Sequence, residues 1–313
     1  MTAYTSIYNT KSKVTKDPWL YTCFSEDQSS FGFTDPHLAK ERRERIAPFF
    51  ARRNILDLQK VIIQKVDCLC DRLSKMRSTT LGTQFPVVDL GSAVKSLTTD
   101  IIMSFCFGES GCLNALEDKN FRHPVIQFME ESLPLLWVFK HFPIVRMVML
   151  GTPEWISMKI GPIGIVMLKK VALNRRFPTR RRLTHNQKLT EQLFSFLDNT
   201  QSNTGKSPAT LGTLNSPIFY RLLDGRGEPI ASHQSLFDEA QALYAAGSDT
   251  VGNTLSVGTY YILSNPHVHL RLQKELKMAW PSGRLGDVSA DGPDIRPGWE
   301  QLEKLPYLVC SPW

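Results

Sequence analysis

Ala245-Ala246-Gly247-Ser248-Asp249-Thr250 decides how this chain is read, because it lies within the longest apolar helical stretch of the sequence. That helix is expected over about 232–264, with Ser232 as its cap and Asn265-Pro266 as its end. From Leu236 to Ile262 it is apolar nearly all round, the pattern of a helix buried through a large core. A glycine at mid-helix costs about 1 kcal/mol against alanine, so Gly247 needs a reason, such as close approach of a ligand or another backbone. Asp249 places a charge in an apolar run, where charges rarely go without a partner or a task. The Thr250 hydroxyl can bond the carbonyl of Ala246, four residues back, and open the turn. A gap, a carboxylate and a hydroxyl together can hold a small polar species against a helix and pass it protons. The same residues also read as a helix–helix contact at Gly247, a surface aspartate and a back-bonded threonine. Both readings stand on these residues alone.

Outward from this stretch, the dominant period is helical. Ile55, Leu58, Ile62, Val66, Leu69 and Leu73 make one apolar stripe, predicting a helix from Ile46 to Met76. Leu90, Val94, Leu97, Ile101 and Phe105 do the same for Val88 to Phe107, with Gly108 as a stop. His123 to Lys140 is a third helix, interrupted by Pro134. Phe142 to Pro162 reads as loop or broken helices, punctuated by Pro143, Pro153 and Pro162. Ile163 to Leu197 is helical with a kink or break at Pro178, Asn199 to Ser216 is a loop, and Ile218 to Leu223 is a short helix. Beyond the long helix come an amphipathic helix from His267 to Trp280, a loop over 281–298 and a last helical run from Trp299. Strand signals are sparse and no repeat is present. The fold class is mainly α.

Composition excludes several classes. With 313 residues, 42% hydrophobic and 21% charged, the chain can bury a sizeable core and is not a disordered segment. A net charge of +7 suits an anionic partner, but a solvated basic surface accounts for it equally simply, and nucleic-acid binding has nothing else behind it. Cys23, Cys68, Cys70, Cys106, Cys112 and Cys310 show no zinc spacing and read as reduced, mostly buried thiols facing a cytosol. Met1 to Lys16 holds no apolar run, and Leu133 to Leu150 is broken by Pro134, Lys140, His141, Pro143 and Arg146, so neither signal peptide nor membrane span is expected.

The motif residues Ala246-Gly247-Ser248-Asp249-Thr250-Val251 resemble the oxygen-binding motif on the central I helix of cytochrome P-450 enzymes, [AG]-G-x-[DE]-T-[ST], departing from it only at Val251. Leu263-Ser264-Asn265-Pro266 and Arg271 to Leu276 resemble the end of that helix and the J helix after it. Trp299 and Leu302 to Leu308 resemble the approach to the K helix. Upstream, Glu41 to Phe50 is similar to the C helix of fungal members, Thr98 to Gly108 to their E helix, and Leu150 to Trp155 to their F–G connection.

The chain thus resembles fungal haem-thiolate monooxygenases of the trichodiene-oxygenase-like group, and the expected architecture is the central part of that fold, about helices B to J, as one domain over 1–313. The resemblance implies that Asp249 and Thr250 serve oxygen activation and proton delivery, that Ala246 and Gly247 face the haem, and that Arg43 binds a haem propionate. Ala39 stands where the C helix carries His or Trp, and a solvated face with Glu41 paired to Arg45 is the alternative for Arg43.

The resemblance also implies a haem cofactor, a flavoprotein reductase, a lipophilic terpenoid or polyketide substrate, and a place on the cytosolic face of the endoplasmic reticulum. Phe142 to Leu150 would be a membrane-facing lip or ordinary core, and Arg175, Arg176, Arg180, Arg181 and Arg182 would touch anionic lipid or stay solvated. Neither Glu-x-x-Arg after Leu308 nor the Phe-x-x-Gly-x-Arg-x-Cys-x-Gly ligand loop occurs in the 313 residues. The expectation is therefore a truncated, inactive chain that holds no metal and binds haem poorly, cytosolic or peripheral without its anchor. The alternative is a non-catalytic remnant that binds hydrophobic ligands or partner proteins.

Overall fold

A computed structural model describes residues 14–24, 26–78, 87–108, 112–152, 218, 232–280 and 298–310. Every regular element among the described residues is helical and none is a strand, as the periodicities predict. The helices are α1 (Pro18–Thr22), α2 (Pro36–Ile46), α3 (Arg52–Ser78), α4 (Leu90–Phe107), α5 (Pro124–His141), α6 (Pro143–Gly151), α7 (His233–Ser264), α8 (Pro266–Ala279), α9 (Trp299–Leu302) and α10 (Pro306–Cys310). No helix of the described residues is long and apolar enough to cross a membrane. The chain divides into two compact units, Met1–Phe49 with Pro124–Ala245, and Phe50–His123 with Ala246–Trp313.

In the second unit, α3 and α4 build the core. The second half of the stripe read from sequence packs into it: Leu69, with the partly buried Val66, Leu73 and Met76, meets Ala93, Leu97 and Ile101 of α4 and Leu116 and Phe121. At the start of α4, Asp89 accepts the Ser92 N–H at 3.1 Å and the Ser92 hydroxyl at 2.8 Å. Its end is the predicted one, since Gly108 has φ 75°, a conformation that favours glycine. Midway, the buried Asp100 carboxylate accepts the N–H groups of Ala115 (2.8 Å) and Leu116 (3.0 Å), fixing the turn after α4.

The helix predicted from Ile46 to Met76 is formed as α3, without its first residues. α2 ends at Ile46, a 3-10 turn covers Ala47–Phe50, and α3 starts at Arg52. Pro48 accounts for the break, since it has no N–H to donate into the helical ladder.

The first unit holds α1, α2, α5, α6 and the start of α7. α5 runs on to His141 through Pro134, where an interruption was expected. Ser132 and Phe139 are buried on either side of it, while Pro134 itself is exposed. Pro143 does not break a helix but opens one, α6, at the first-turn position that proline tolerates. The remainder of Phe142 to Pro162, the segments Ile163–Leu197 and Asn199–Ser216, the short helix from Ile218 beyond its first residue, and the loop up to 297 lie outside the described residues.

The long helix α7 begins where Ser232 predicts, the Ser232 Oγ accepting the Ser235 N–H at 3.2 Å. Its first part is buried: Leu236, Phe237, Ala240 and Tyr244 pack inside, beside the carboxylates of Asp238 and Glu239. Those charges are matched within the unit, Asp238 by the Gln28 N–H at 3.0 Å and Glu239 by the Ser30 N–H at 2.7 Å and Arg42 at 3.5 Å. Burial all round does not extend to the other half, where Val251, Leu255, Val257, Tyr260, Tyr261 and Leu263 are exposed. Only one strip of that half, through Gly247, Ser248 and Gly252, is pressed against α4.

Candidate functional site

The motif residues divide between two flanks of α7. On the flank toward α4, Gly247 lets the helices close: a Cβ there would stand 2.6 Å from Ile102 Cγ1 and 3.0 Å from Ile102 Cβ. The approach expected of Gly247 is thus made by a side chain of the neighbouring helix. Ser248, 4% exposed, joins the same contact. Its hydroxyl shares a hydrogen with Thr99 Oγ1 at 2.6 Å, and its carbonyl accepts the Thr98 hydroxyl at 2.9 Å. Asp249 lies at the edge of this flank. Its Oδ1 pairs with Lys95 Nζ at 3.1 Å, and its Oδ2 accepts from Asn253 Nδ2 at 3.0 Å. Both carboxylate oxygens are occupied, which answers the sequence question of what matches this charge.

On the other flank, Ala246 and Thr250 are exposed. The Thr250 hydroxyl donates to the Ala246 carbonyl at 2.6 Å, as the four-residue spacing predicts. The hydroxyl proton is engaged, while the lone pairs of the same oxygen remain able to accept from a polar guest. The Thr254 hydroxyl repeats the pattern on the Thr250 carbonyl at 2.9 Å. The result is a helix edge of small side chains with a hydroxyl at its surface and a carboxylate one residue away.

Arg43 lies in the first unit, on α2, with its side chain exposed and Ala39 buried on the same helix. The adjacent Arg42 is the buried arginine, donating to Ser235 Oγ at 2.8 Å and pairing with Glu239. The Glu41–Arg45 pair is formed at 2.8 Å, and Arg43 and Arg45 are both exposed. Sequence reading missed Lys95, Thr98, Thr99 and Gly252 as partners of the motif. Only the recurrence of small residues at 247, 248 and 252 on one helical strip hinted that a second helix packs there.

Gly247, which the resemblance turns toward the haem, is turned instead toward Ile102 of α4. The helical architecture agrees with the resemblance, and the chain belongs to the cytochrome P450 family, whose sequence profile, described as "Cytochrome P450", matches residues 3–310. It is 28% identical over 314 residues to the cytochrome P450 monooxygenase flvC of Aspergillus flavus, covering 99% of this chain and 51% of that protein. It is 29% identical over 313 residues to the cytochrome P450 monooxygenase macH of Penicillium terrestre, covering 98% of this chain and 53% of that protein. A third relative, from Cladonia grayi, is a grayanic acid biosynthesis cluster cytochrome P450 monooxygenase, 28% identical over 94% of this chain and 48% of its own length. The chain therefore spans about half the length of the curated relatives it matches. Among solved structures, the cytochrome P450DA heme domain shares the fold, with a TM-score of 0.55 at 16% identity over 94% of this chain and 53% of that one.

The family implies haem, and the described residues fit it in part. The exposed Ala246–Thr250 edge carries small side chains that allow a flat group to approach. Among the described cysteines, Cys23, Cys106 and Cys112 are buried, and burial pushes the thiols of Cys23 and Cys70 up, toward the protonated form. No cluster of three or more His, Cys, Asp or Glu side chains suited to a metal ion occurs among the described residues.

Proposed function

We propose that this chain carries the oxygen-activating helix edge of a haem-thiolate monooxygenase that oxidises a lipophilic secondary metabolite. The observation that supports this best is the Thr250 hydroxyl, presented at an exposed small-residue edge and bonded to the Ala246 carbonyl at 2.6 Å. Bound haem with its cysteine thiolate would supply activation of dioxygen and cleavage of its O–O bond.

The chain's own residues would do the rest. Ala246 would leave room beside the group, and Gly247 would bring α4 up behind it by admitting Ile102. Thr250 would first accept a hydrogen bond from a polar guest and then turn its own proton from Ala246 toward it. Asp249, next in the chain, would leave Lys95 and Asn253, take up a proton from solvent and pass it on to the Thr250 oxygen. Arg43, an exposed guanidinium, would bind a carboxylate of the cofactor by paired charge-assisted bonds.

By the family resemblance, the substrate would be a terpenoid or polyketide, the electron donor a flavoprotein reductase and the place of work the cytosolic face of the endoplasmic reticulum. The test joins residues 1–313 to a family ligand-loop segment and supplies haem, reductase and isotopically labelled dioxygen. One labelled oxygen atom in a lipophilic product is expected. Oxygen consumption by such a loaded protein without labelled product from any lipophilic candidate would contradict the reading.

A further inference from the structure

The Lys95–Asp249 pair depends on a gap. Lys95 rises from α4, and its aliphatic stem crosses α7 at Gly252 before the ammonium reaches Asp249 Oδ1 at 3.1 Å. A Cβ at residue 252 would stand 2.9 Å from Lys95 Cγ and 3.3 Å from both Lys95 Cα and Thr98 Oγ1. Gly252 is buried, yet it sits in a helix, where glycine is unfavourable by roughly 0.5–1 kcal/mol against alanine. Passage of the lysine stem gives it a reason. The pair itself is sheltered, the two side chains being 14% and 19% exposed, so water screens it less than a surface pair. Asn253 takes the second carboxylate oxygen, which leaves the Asp249 side chain one orientation, toward α4 and off the Ala246–Thr250 edge.

Resting on the role given to Asp249 above, we propose that Lys95 is the positioning residue for that carboxylate and that Gly252 is the gap through which it acts. Lys95 touches neither substrate nor cofactor. It parks the carboxylate beside the oxygen-activating edge and sets how readily it turns toward Thr250. A surface lysine that paired with Asp249 by chance would need no buried glycine beneath its stem.

Two measurements separate this proposal from the reading on which it rests. The first is peptide-resolved labelling of lysines with an amine-reactive acyl reagent, on the folded protein with or without haem. Labelling of Lys95 rises about three- to fivefold in Asp249→Asn, the change expected when a pair of this kind is removed. It rises similarly in Gly252→Ala, which leaves Asp249 intact and displaces only the lysine stem, with Lys65 as the internal standard.

The second is product formed per dioxygen consumed in haem-loaded protein carrying the ligand loop. Lys95→Met changes this ratio in the same direction as Asp249→Asn, and Lys95→Arg, which keeps the charge, restores it. Unchanged labelling in both Asp249→Asn and Gly252→Ala overturns the proposal. So does a Lys95→Met protein whose ratio matches the parent while that of Asp249→Asn falls. If Asp249→Asn itself leaves the ratio unchanged, the role of Asp249 is what fails, and the labelling result still decides for or against the Gly252–Lys95 placement.

Discussion

Thr98 donates its hydroxyl to the backbone carbonyl of Ser248 at 2.9 Å, across 150 residues of sequence. With the adjacent Thr99–Ser248 bond, it fixes which side of α7 faces α4 and therefore which side is left for the Ala246–Thr250 edge.

The glycines of α7 separate by what lies over them. Gly247→Val drives a branched side chain into Ile102 and lowers stability by about 1–3 kcal/mol, with Ile102→Ala in the same chain recovering part of the loss. Gly258 has nothing within 4 Å of its absent Cβ, so Gly258→Ala raises stability by roughly 0.5–1 kcal/mol. Chemical denaturation of the three variants checks both signs. Equal effects at 247 and 258 would mean that α4 does not close on α7 as described.

Asp89 caps α4, and Asp89→Ala lowers stability by about 1 kcal/mol. Its hydrogen bonds from Ser92 hold the carboxyl below the usual aspartate range. The cap's contribution is therefore complete above the titration of the unfolded chain and is lost as pH falls through the lower folded value. Parent and variant should converge in acid. A difference that persists at pH 2 would show that the charge plays no part.

Asp100 behaves in the opposite sense. Burial pushes its carboxyl up even though it accepts two backbone N–H groups. The folded chain keeps this proton to higher pH than the unfolded chain, so the group weakens the fold as pH rises between the two titrations. Asp100→Ala removes that slope and strands the Ala115 and Leu116 N–H groups at about 1–3 kcal/mol each. Stability curves against pH for parent and Asp100→Ala test both effects, and a slope that survives the substitution would contradict the assignment.

Much of this was legible in the sequence. The Leu69–Leu73 stripe, the Gly108 stop, the Ser232 start and the Thr250–Ala246 bond all depend on residues within a few positions of one another, which is the range that helical periodicity reports. Helix α5 passing through Pro134 was not legible, because the burial of Ser132 and Phe139 outweighs a local breaker. Nor was the exposure of Val251 to Leu263, since an all-round apolar pattern states what can be buried and not what is. The Asp249 partner was hidden for a simpler reason. Lys95 belongs to another helix far away in sequence, and no spacing rule joins them.

The central claim is that the Thr250 hydroxyl serves oxygen activation and is more than a back-bonded helix residue. Its most direct test is the ratio of product formed to dioxygen consumed in haem-loaded protein carrying the ligand loop, compared between the parent and Thr250→Val. Valine keeps the size and branching of the side chain and removes only the hydroxyl. The account predicts continued oxygen consumption with a severalfold smaller share of it ending in product, the rest released as peroxide or water. An unchanged ratio, in a variant with the parent's helical content and haem loading, would contradict it.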